Sequence, residues 1–330
     1  MADRDQIIAE FLQASGWDAA KRSSLAGDAS ARRYDRLSGA VLMDAPPLDD
    51  EDIGPFLKVA RYLSECGLSA PEIYAADPQN GLIVMEDLGD DLYARVCENH
   101  PDQETELYEA AIDILGYLHR QSFSPDLPPY SAEIYQREAD LLVDWYMPAI
   151  TGQEVTTEIK AQYQKLINNA CGNLSGPPVC VLRDYHAENL LWLPSREGVA
   201  RVGLLDFQDA LIGHPAYDLV SLLQDARRDT GRDLQAAMIA RYLRIYPQNE
   251  DKFLVDYATL GAQRNLKIIG VFARLCIRDK KPAYVDLIPR VWAYLMGDLA
   301  RPELAGLCEF MRDNVPPPTP QNLQKIREVA

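Results

Sequence analysis

The chain of 330 residues lacks any apolar run long enough to cross a bilayer. Its opening, Met1-Ala2-Asp3-Arg4-Asp5, is too polar and acidic for a secretory signal. Together these absences predict a cytoplasmic protein that makes no use of a membrane. Histidine is scarce, and the four present (His100, His119, His186, His214) stand apart from the six cysteines, which argues against a structural zinc site. The cysteines show no paired close spacing and read as reduced thiols, not as a disulfide frame. Basic residues are in deficit, 33 Lys and Arg against 50 Asp and Glu, and the net charge of −17 would repel a nucleic acid over most of the surface. The charge does not choose a substrate, because a cationic ligand and plain solubility both favour it. There is no internal repeat, and nothing in the sequence calls for an obligate protein partner. A chain of this length can build two domains, or one large two-lobed unit with a substantial core.

What is present is a pair of apolar runs, each ending in a carboxylate. Val181-Leu182-Arg183-Asp184 delivers one Asp, Asn189 follows five positions later, and Leu204-Leu205-Asp206 delivers a second. This is the set that phosphoryl transfer from ATP requires. One carboxylate takes the proton of an attacking hydroxyl, while an amide oxygen and another carboxylate hold Mg²⁺ on the phosphates. Asp184 is the candidate base, and Asn189 and Asp206 are the candidate metal ligands, each offering the hard oxygen that Mg²⁺ prefers. Asp and Asn also cap helices and make turns, so either half alone says little. Their order, and the strand-like run before each, favour the chemistry.

Apolar periodicity predicts a short amphipathic helix over 5–14, strands over 31–37 and 40–44 around a Ser38-Gly39 turn, a helix over 56–66, and strands over 71–76 and 81–85. From Gln103 onward the pattern is helical, over 105–121, 132–147, 155–171, 217–228, 234–246 and 251–278. The segment 314–321, with its run of prolines at 316–318, reads as poorly ordered. The expected class is α+β, with a strand-rich first part joined through a short hinge to a larger helical part.

With these residues the chain resembles the aminoglycoside phosphotransferase and choline kinase-like superfamily, whose catalytic loop runs H-x-D-x-x-x-x-N with a His two places after the Asp. Asp184, His186 and Asn189 match, and Leu182 replaces the leading His. The resemblance implies a protein-kinase-like two-lobed fold: a small antiparallel-sheet lobe over 1–87 that binds nucleotide, and a larger, mainly helical lobe over 88–330 carrying the catalytic loop, metal and substrate site. A narrower likeness is to the bacterial cell-wall-recycling kinases that phosphorylate the anomeric hydroxyl of N-acetylmuramate and N-acetylglucosamine. It rests on Gly27 to Tyr34, Val41 to Pro47, Leu205 to Ala210 with Tyr217 to Leu222, and Gly261 to Gly270. It implies ATP and Mg²⁺ as cofactors and a small sugar or alcohol as acceptor. Adenine would sit against the backbone of Met85, Glu86, Asp87 and Leu88, and Ser30 would meet a phosphate from a loop with one glycine in place of three. Met43 stands where the family's strand carries a phosphate-binding Lys, so another cation is needed there. Arg33 is the first candidate and Arg32 the second, since strand alternation points only one of them inward.

The stretch 251–278 places Gln263, Lys267, Arg274 and Arg278 along one helical face, with Gly270 on the same stripe. A charged helix face is commonly just solvated. In a chain this acidic, the stripe also suits an acceptor that carries a carboxylate, which Lys267 or Arg274 would complement. Asp209 is a further candidate for orienting the sugar, whereas Asp218 is expected to brace the catalytic loop. Two rivals stay open. One is a kinase of choline, aminoglycosides or another small alcohol; the other is a pseudokinase-like binding protein, for which Met43 is the best argument.

Overall fold

The computed structural model describes residues 4–17, 22–25, 32–47, 52–121 and 126–329. Its helices and strands, in chain order, begin with α1 (Arg4–Ala14), β1 (Ser23–Ser24), β2 (Arg33–Arg36), β3 (Ala40–Asp44), α2 (Gly54–Glu65), β4 (Ile73–Asp77), β5 (Leu82–Glu86), α3 (Tyr93–Asn99), α4 (Glu104–Leu118), α5 (Ala132–Ala139), α6 (Met147–Thr151) and α7 (Thr157–Gly172). They continue with β6 (Val179–Val181), β7 (Leu190–Trp192), β8 (Val202–Leu204), β9 (Leu211–Gly213), α8 (Ala216–Leu223), α9 (Arg232–Ile245), α10 (Glu250–Ile277), α11 (Ile288–Asp298), α12 (Ala305–Asn314) and α13 (Pro320–Val329). The chain divides into two compact units, 1–114 with 188–210, and 115–187 with 211–330. This differs from the expected boundary after 87, because α3 is tied to β7. Leu92 bridges Leu191, and the Trp192 amide donates to the Asp91 carbonyl at 2.8 Å.

The first unit is built on an antiparallel sheet in the order β1-β2-β3-β5-β4. Strand β3 is its middle, and all five residues are buried because both neighbours and both faces are covered. Ile8 and Leu12 of α1 pack with Leu37, Ala40, Leu42, Leu82 and Val84 to close one apolar cluster. The β4–β5 turn ends at Gly81 with φ +64°, where an added Cβ would lie 1.8 Å from the Ala45 carbonyl oxygen, so no larger residue fits. Hairpin β7–β8 pairs Leu190 with Leu204, which puts Asn189 and Leu205 at one end of it, the Leu205 amide donating to the Asn189 carbonyl at 3.0 Å. Phe207 follows and stacks on Phe56 of α2 with ring centroids 5.0 Å apart.

The second unit is organised by α10, whose N-terminus is capped by Asn249 accepting the Lys252 amide at 2.9 Å. Such a cap stabilises a helix by about 1 kcal/mol. Leu266, Ile269, Phe272 and Ala273 of α10 join the main core with Leu142, Tyr146, Ile288, Val291 and Leu295. The helix expected over 132–147 is α5, then a π-helical turn over Leu142–Tyr146, then α6. Pro148 has no N–H to continue the regular ladder, and the wider turn accommodates it. The segment 314–321 is not loose: Asn314 closes α12, Val315 is buried, the Tyr146 hydroxyl donates to the Pro316 carbonyl at 2.9 Å, and α13 starts at Pro320. A partner 170 residues away in sequence holds it, which local composition does not reveal. Among the described residues no disulfide forms, and no helix is long and apolar enough to cross a membrane.

Candidate active site

Strand β6 runs out at Val181, and the chain turns sharply through Leu182-Arg183-Asp184. The Asp184 amide donates back to the Leu182 carbonyl at 2.9 Å across Arg183, whose φ is +71°. That is a γ-turn of the rare positive-φ kind. A non-glycine residue held there costs about 1–3 kcal/mol and persists only where its surroundings enforce it. They do so here. The fully buried Asp218 carboxylate, at the start of α8, accepts the amides of Leu182 at 2.7 Å and Arg183 at 2.8 Å. The Ser221 hydroxyl, one turn further along α8, donates to the Arg183 carbonyl at 3.1 Å. Burial pushes the Asp218 carboxyl up to about 7, although the two amide bonds pull it the other way.

Asp184 itself is half-buried. Burial alone would raise its pKa, but the positive charges around it, led by Lys267 and including Arg264 and Arg183, outweigh that and hold the carboxyl below its ordinary range. It is therefore ionised at neutral pH, as a proton acceptor must be. Lys267 stays charged despite its own burial, with Glu138 among the groups that favour its charge. Its Nζ lies 3.0 Å from Glu138 Oε1, and the same carboxylate accepts from the Arg183 guanidinium and from the Tyr130 hydroxyl. Gln263 Nε2 donates to the Tyr135 carbonyl at 3.0 Å beside it.

Of the basic stripe, then, Gln263 and Lys267 meet at the Glu138 carboxylate, and Lys267 belongs to the surroundings of Asp184. Arg274 does not: it is half-buried two turns further along, its Nε has no hydrogen-bond partner among the described residues, and burial with the nearby Arg278 charge lowers its pKa. Gly270 is small for a structural reason, because an added Cβ would lie 2.3 Å from the Leu141 carbonyl carbon.

In the first unit, Asp206 adopts φ +56°, a left-handed conformation that Asp tolerates, and its exposed carboxylate accepts from Gln208 Nε2 at 2.7 Å. Asn189 Nδ2 lies 3.5 Å from the other carboxylate oxygen. A half-turn of the Asn189 amide exchanges its nitrogen for its oxygen, so both side chains can offer oxygen to one cation. Among the described residues no group of three or more His, Cys, Asp or Glu is arranged to hold a metal. Mg²⁺ bound to a nucleotide asks for less, one or two protein oxygens beside phosphates and water, and this pair fits it. Asp209 is exposed in the turn closed by the Ala210 amide and the Phe207 carbonyl at 3.1 Å.

The nucleotide candidates fall into distinct environments. Met85 and Glu86 are part of β5, paired with Val41 and Ala40, and the Glu86 amide donates to Glu72 O at 2.8 Å. The Glu86 carboxylate pairs with Arg196. Asp87 and Leu88 lie beyond the strand. Arg36 of β2 pairs with Asp87 at 2.7 Å and with Asp90 at 2.9 Å, and these hydrogen bonds raise the guanidinium's pKa further above its already high value. Arg33 is exposed on β2 and Arg32 half-buried before it. Met43 is fully buried in β3. Ser30, with the Gly27 to Ser30 loop, lies outside the described residues.

Sequence reasoning missed Glu138, Ser221 and Arg264. Glu138 had a signal: it falls on the buried face of α5 with Tyr135, Ala139 and, one turn on, Leu142, and an acid at a core position needs a partner. Comparison with known proteins agrees with the geometry. The phosphotransferase enzyme family model matches residues 21–253. An N-acetylmuramate/N-acetylglucosamine kinase of Caulobacter vibrioides is 39% identical, over 96% of this chain and 98% of that protein. A protein of the same name from Pseudomonas aeruginosa is 37% identical over 93% of each. Among solved structures, a choline/ethanolamine kinase family protein from Mesorhizobium loti superposes with a TM-score of 0.62 at 13% identity, covering 98% of this chain and 99% of that one. The gentamicin complex of APH(2'')-IIa gives 0.63 at 15% identity, covering 90% and 97%. Those identities speak for the fold alone, a protein-kinase-like one, whereas the family model spans most of the sequence: the chain belongs to the phosphotransferase enzyme family.

Proposed function

We propose that this chain transfers the γ-phosphoryl group of ATP to the anomeric hydroxyl of N-acetylmuramate or N-acetylglucosamine, as a cytoplasmic enzyme of cell-wall sugar recycling. The observation that carries the reading is Asp184, ionised and fixed at the tip of a strained, braced turn. The names of the relatives at 39% and 37% identity support the acceptor. Asp184 would accept the hydroxyl proton as oxygen attacks the γ-phosphorus in line. Most of the rate would come from positioning and charge stabilisation, with the proton transfer a smaller part. Asn189 and Asp206 would hold Mg²⁺, which when bound neutralises phosphate charge. The backbone at Asp87 and Leu88, beyond the β5 ladder, would meet adenine together with Met85 and Glu86, and Ser30 and Arg33 would meet phosphate.

The charge around Asp184 supports a neutral or anionic acceptor. The cations Lys267, Arg183 and Arg264 lie among the carboxylates Glu138, Asp184 and Asp218, so this is no acidic basin for a polycation despite the net charge of −17. Lys267 is the favoured partner for the lactyl carboxylate of N-acetylmuramate, with Gln263 and Asp209 as candidates for hydroxyl and amide groups and Arg274 the most remote of the set. The buried Met43 favours the pseudokinase rival on one point only, the absent strand Lys.

The test is Mg²⁺-dependent ATP turnover with N-acetylmuramate, N-acetylglucosamine, choline and kanamycin, with ³¹P NMR on the product. A phosphate coupled to an anomeric proton is expected. Turnover only with choline or kanamycin would discard the sugar assignment, and ATP binding without turnover on any acceptor would favour the pseudokinase.

A further inference from the structure

Arg264 of α10 is an odd residue for its place. It is only 6% exposed, its Nη1 has no hydrogen-bond partner, and no carboxylate hydrogen-bonds it among the described residues. A guanidinium taken out of water with no carboxylate hydrogen-bonded to it is costly, even with the charges of Asp184 and Asp218 near enough to favour it, and such a residue calls for a reason. Among the described residues its one hydrogen bond runs from Nη2 to Ser221 Oγ at 2.7 Å. Ser221 Oγ in turn donates its single proton to the Arg183 carbonyl at 3.1 Å.

A serine hydroxyl rotates, and on a helix its proton has a competing acceptor in the carbonyl one turn back. An N–H pressed against the oxygen's lone pair removes that freedom and turns the proton toward Arg183. We propose that Arg264 is a positioning residue for phosphoryl transfer: through Ser221 it locks the positive-φ turn that presents Asp184. Asp218 secures the amides of Leu182 and Arg183, and Ser221 with Arg264 secures the Arg183 carbonyl that follows them. The proposal rests on Asp184 being the base, and it assigns Arg264 no contact with either substrate.

The prediction is a chain of dependence. Ser221→Ala and Arg264→Met should each lower kcat by about 10-fold to 10²-fold, as expected when a reacting group is misplaced, with KM for ATP and N-acetylmuramate nearly unchanged. Because both act through one hydroxyl, the double variant should be no slower than the worse single variant. Arg264→Lys, which keeps a buried donor, should recover part of the loss. Exchange of the Leu182 and Arg183 amides, followed by mass spectrometry on the peptide over 179–187, should speed up about 10-fold in each single variant and no further in the double. This second readout needs no turnover and no identified acceptor. Losses that multiply in the double variant, or amide exchange unchanged from wild type, overturn the proposal. Asp184→Asn is assayed alongside. If it keeps wild-type turnover, the assignment of the base fails; if it is inactive while the losses multiply, only the role of Arg264 falls.

Discussion

Asp184 and Glu138 show two uses of a carboxylate in the field of the same cations, Lys267 and Arg183. Asp184 is presented for chemistry, and Asp184→Asn keeps its size while removing its basicity. Turnover with the preferred acceptor should fall about 10²-fold to 10⁴-fold, the usual weight of a general base, with ATP affinity by calorimetry little changed. Glu138 is instead consumed by its neighbours Lys267, Arg183 and Tyr130. Glu138→Gln would leave two largely buried cations short of their anion, and stability in urea should drop by about 3–5 kcal/mol. Burial works to raise the Glu138 pKa, but Lys267 and Arg183 outweigh it and hold the group below the usual carboxylate range. A carboxylate with a lowered folded-state pKa contributes stability that is fully present above the unfolded value, about 4.3, and is lost as pH falls through the folded one. The difference between wild type and Glu138→Gln should therefore hold from pH 7 down to about 4 and shrink only in stronger acid.

At the level of elements, packing leaves two positions with no slack. Gly270 of α10 meets the backbone around Leu141 so closely that Gly270→Ala must push the helices apart, and a loss of about 1–3 kcal/mol is expected in a denaturant titration. At the C-terminal end of α4, His119 is buried against Tyr242, with Nδ1 2.7 Å from its hydroxyl. Burial is the main cause that drives its pKa down from 6.5 to about 3. The unfolded chain thus binds a proton that the folded chain refuses between those values. Stability from this group is complete above pH 6.5 and falls as pH drops toward 3. His119→Gln, which keeps a hydrogen-bonding group near Tyr242 but does not titrate, should flatten the decline in unfolding midpoint between pH 6.5 and 4.5 relative to wild type. An equal decline in both proteins would mean that other groups govern it.

For the molecule as a whole, net charge is a poor guide to the site it contains. The chain carries 50 Asp and Glu against 33 Lys and Arg, while the surroundings of Asp184 mix cations and anions closely. An acceptor screen should therefore prefer N-acetylmuramate and N-acetylglucosamine to kanamycin, and Lys267→Met should raise KM for N-acetylmuramate more than for N-acetylglucosamine, which lacks the carboxylate. Equal effects on the two sugars would remove Lys267 from acceptor recognition. Chelation of divalent cations should stop turnover, with recovery on adding Mg²⁺. Asp206→Ala should need far more Mg²⁺ for the same rate, since it removes a charged oxygen ligand.

The sequence by itself determined the local patterns: the strands around Ser38-Gly39, the long helix at 251–278 against the observed Glu250–Ile277, and the ordered set Asp184, Asn189, Asp206. These were legible because propensity, turn chemistry and periodicity act over a few residues. Only the tertiary structure decided which polar groups meet across long separations. Lys267 joins Glu138, Asp218 takes the amides of Leu182 and Arg183, and Arg264 reaches Ser221, while Arg274, on the same helical stripe as Lys267, is left out. A helical stripe fixes the direction in which side chains point, but not what another element brings to face them. The tethering of Pro316 makes the same point, since the partner that holds it, Tyr146, lies 170 residues away in the chain.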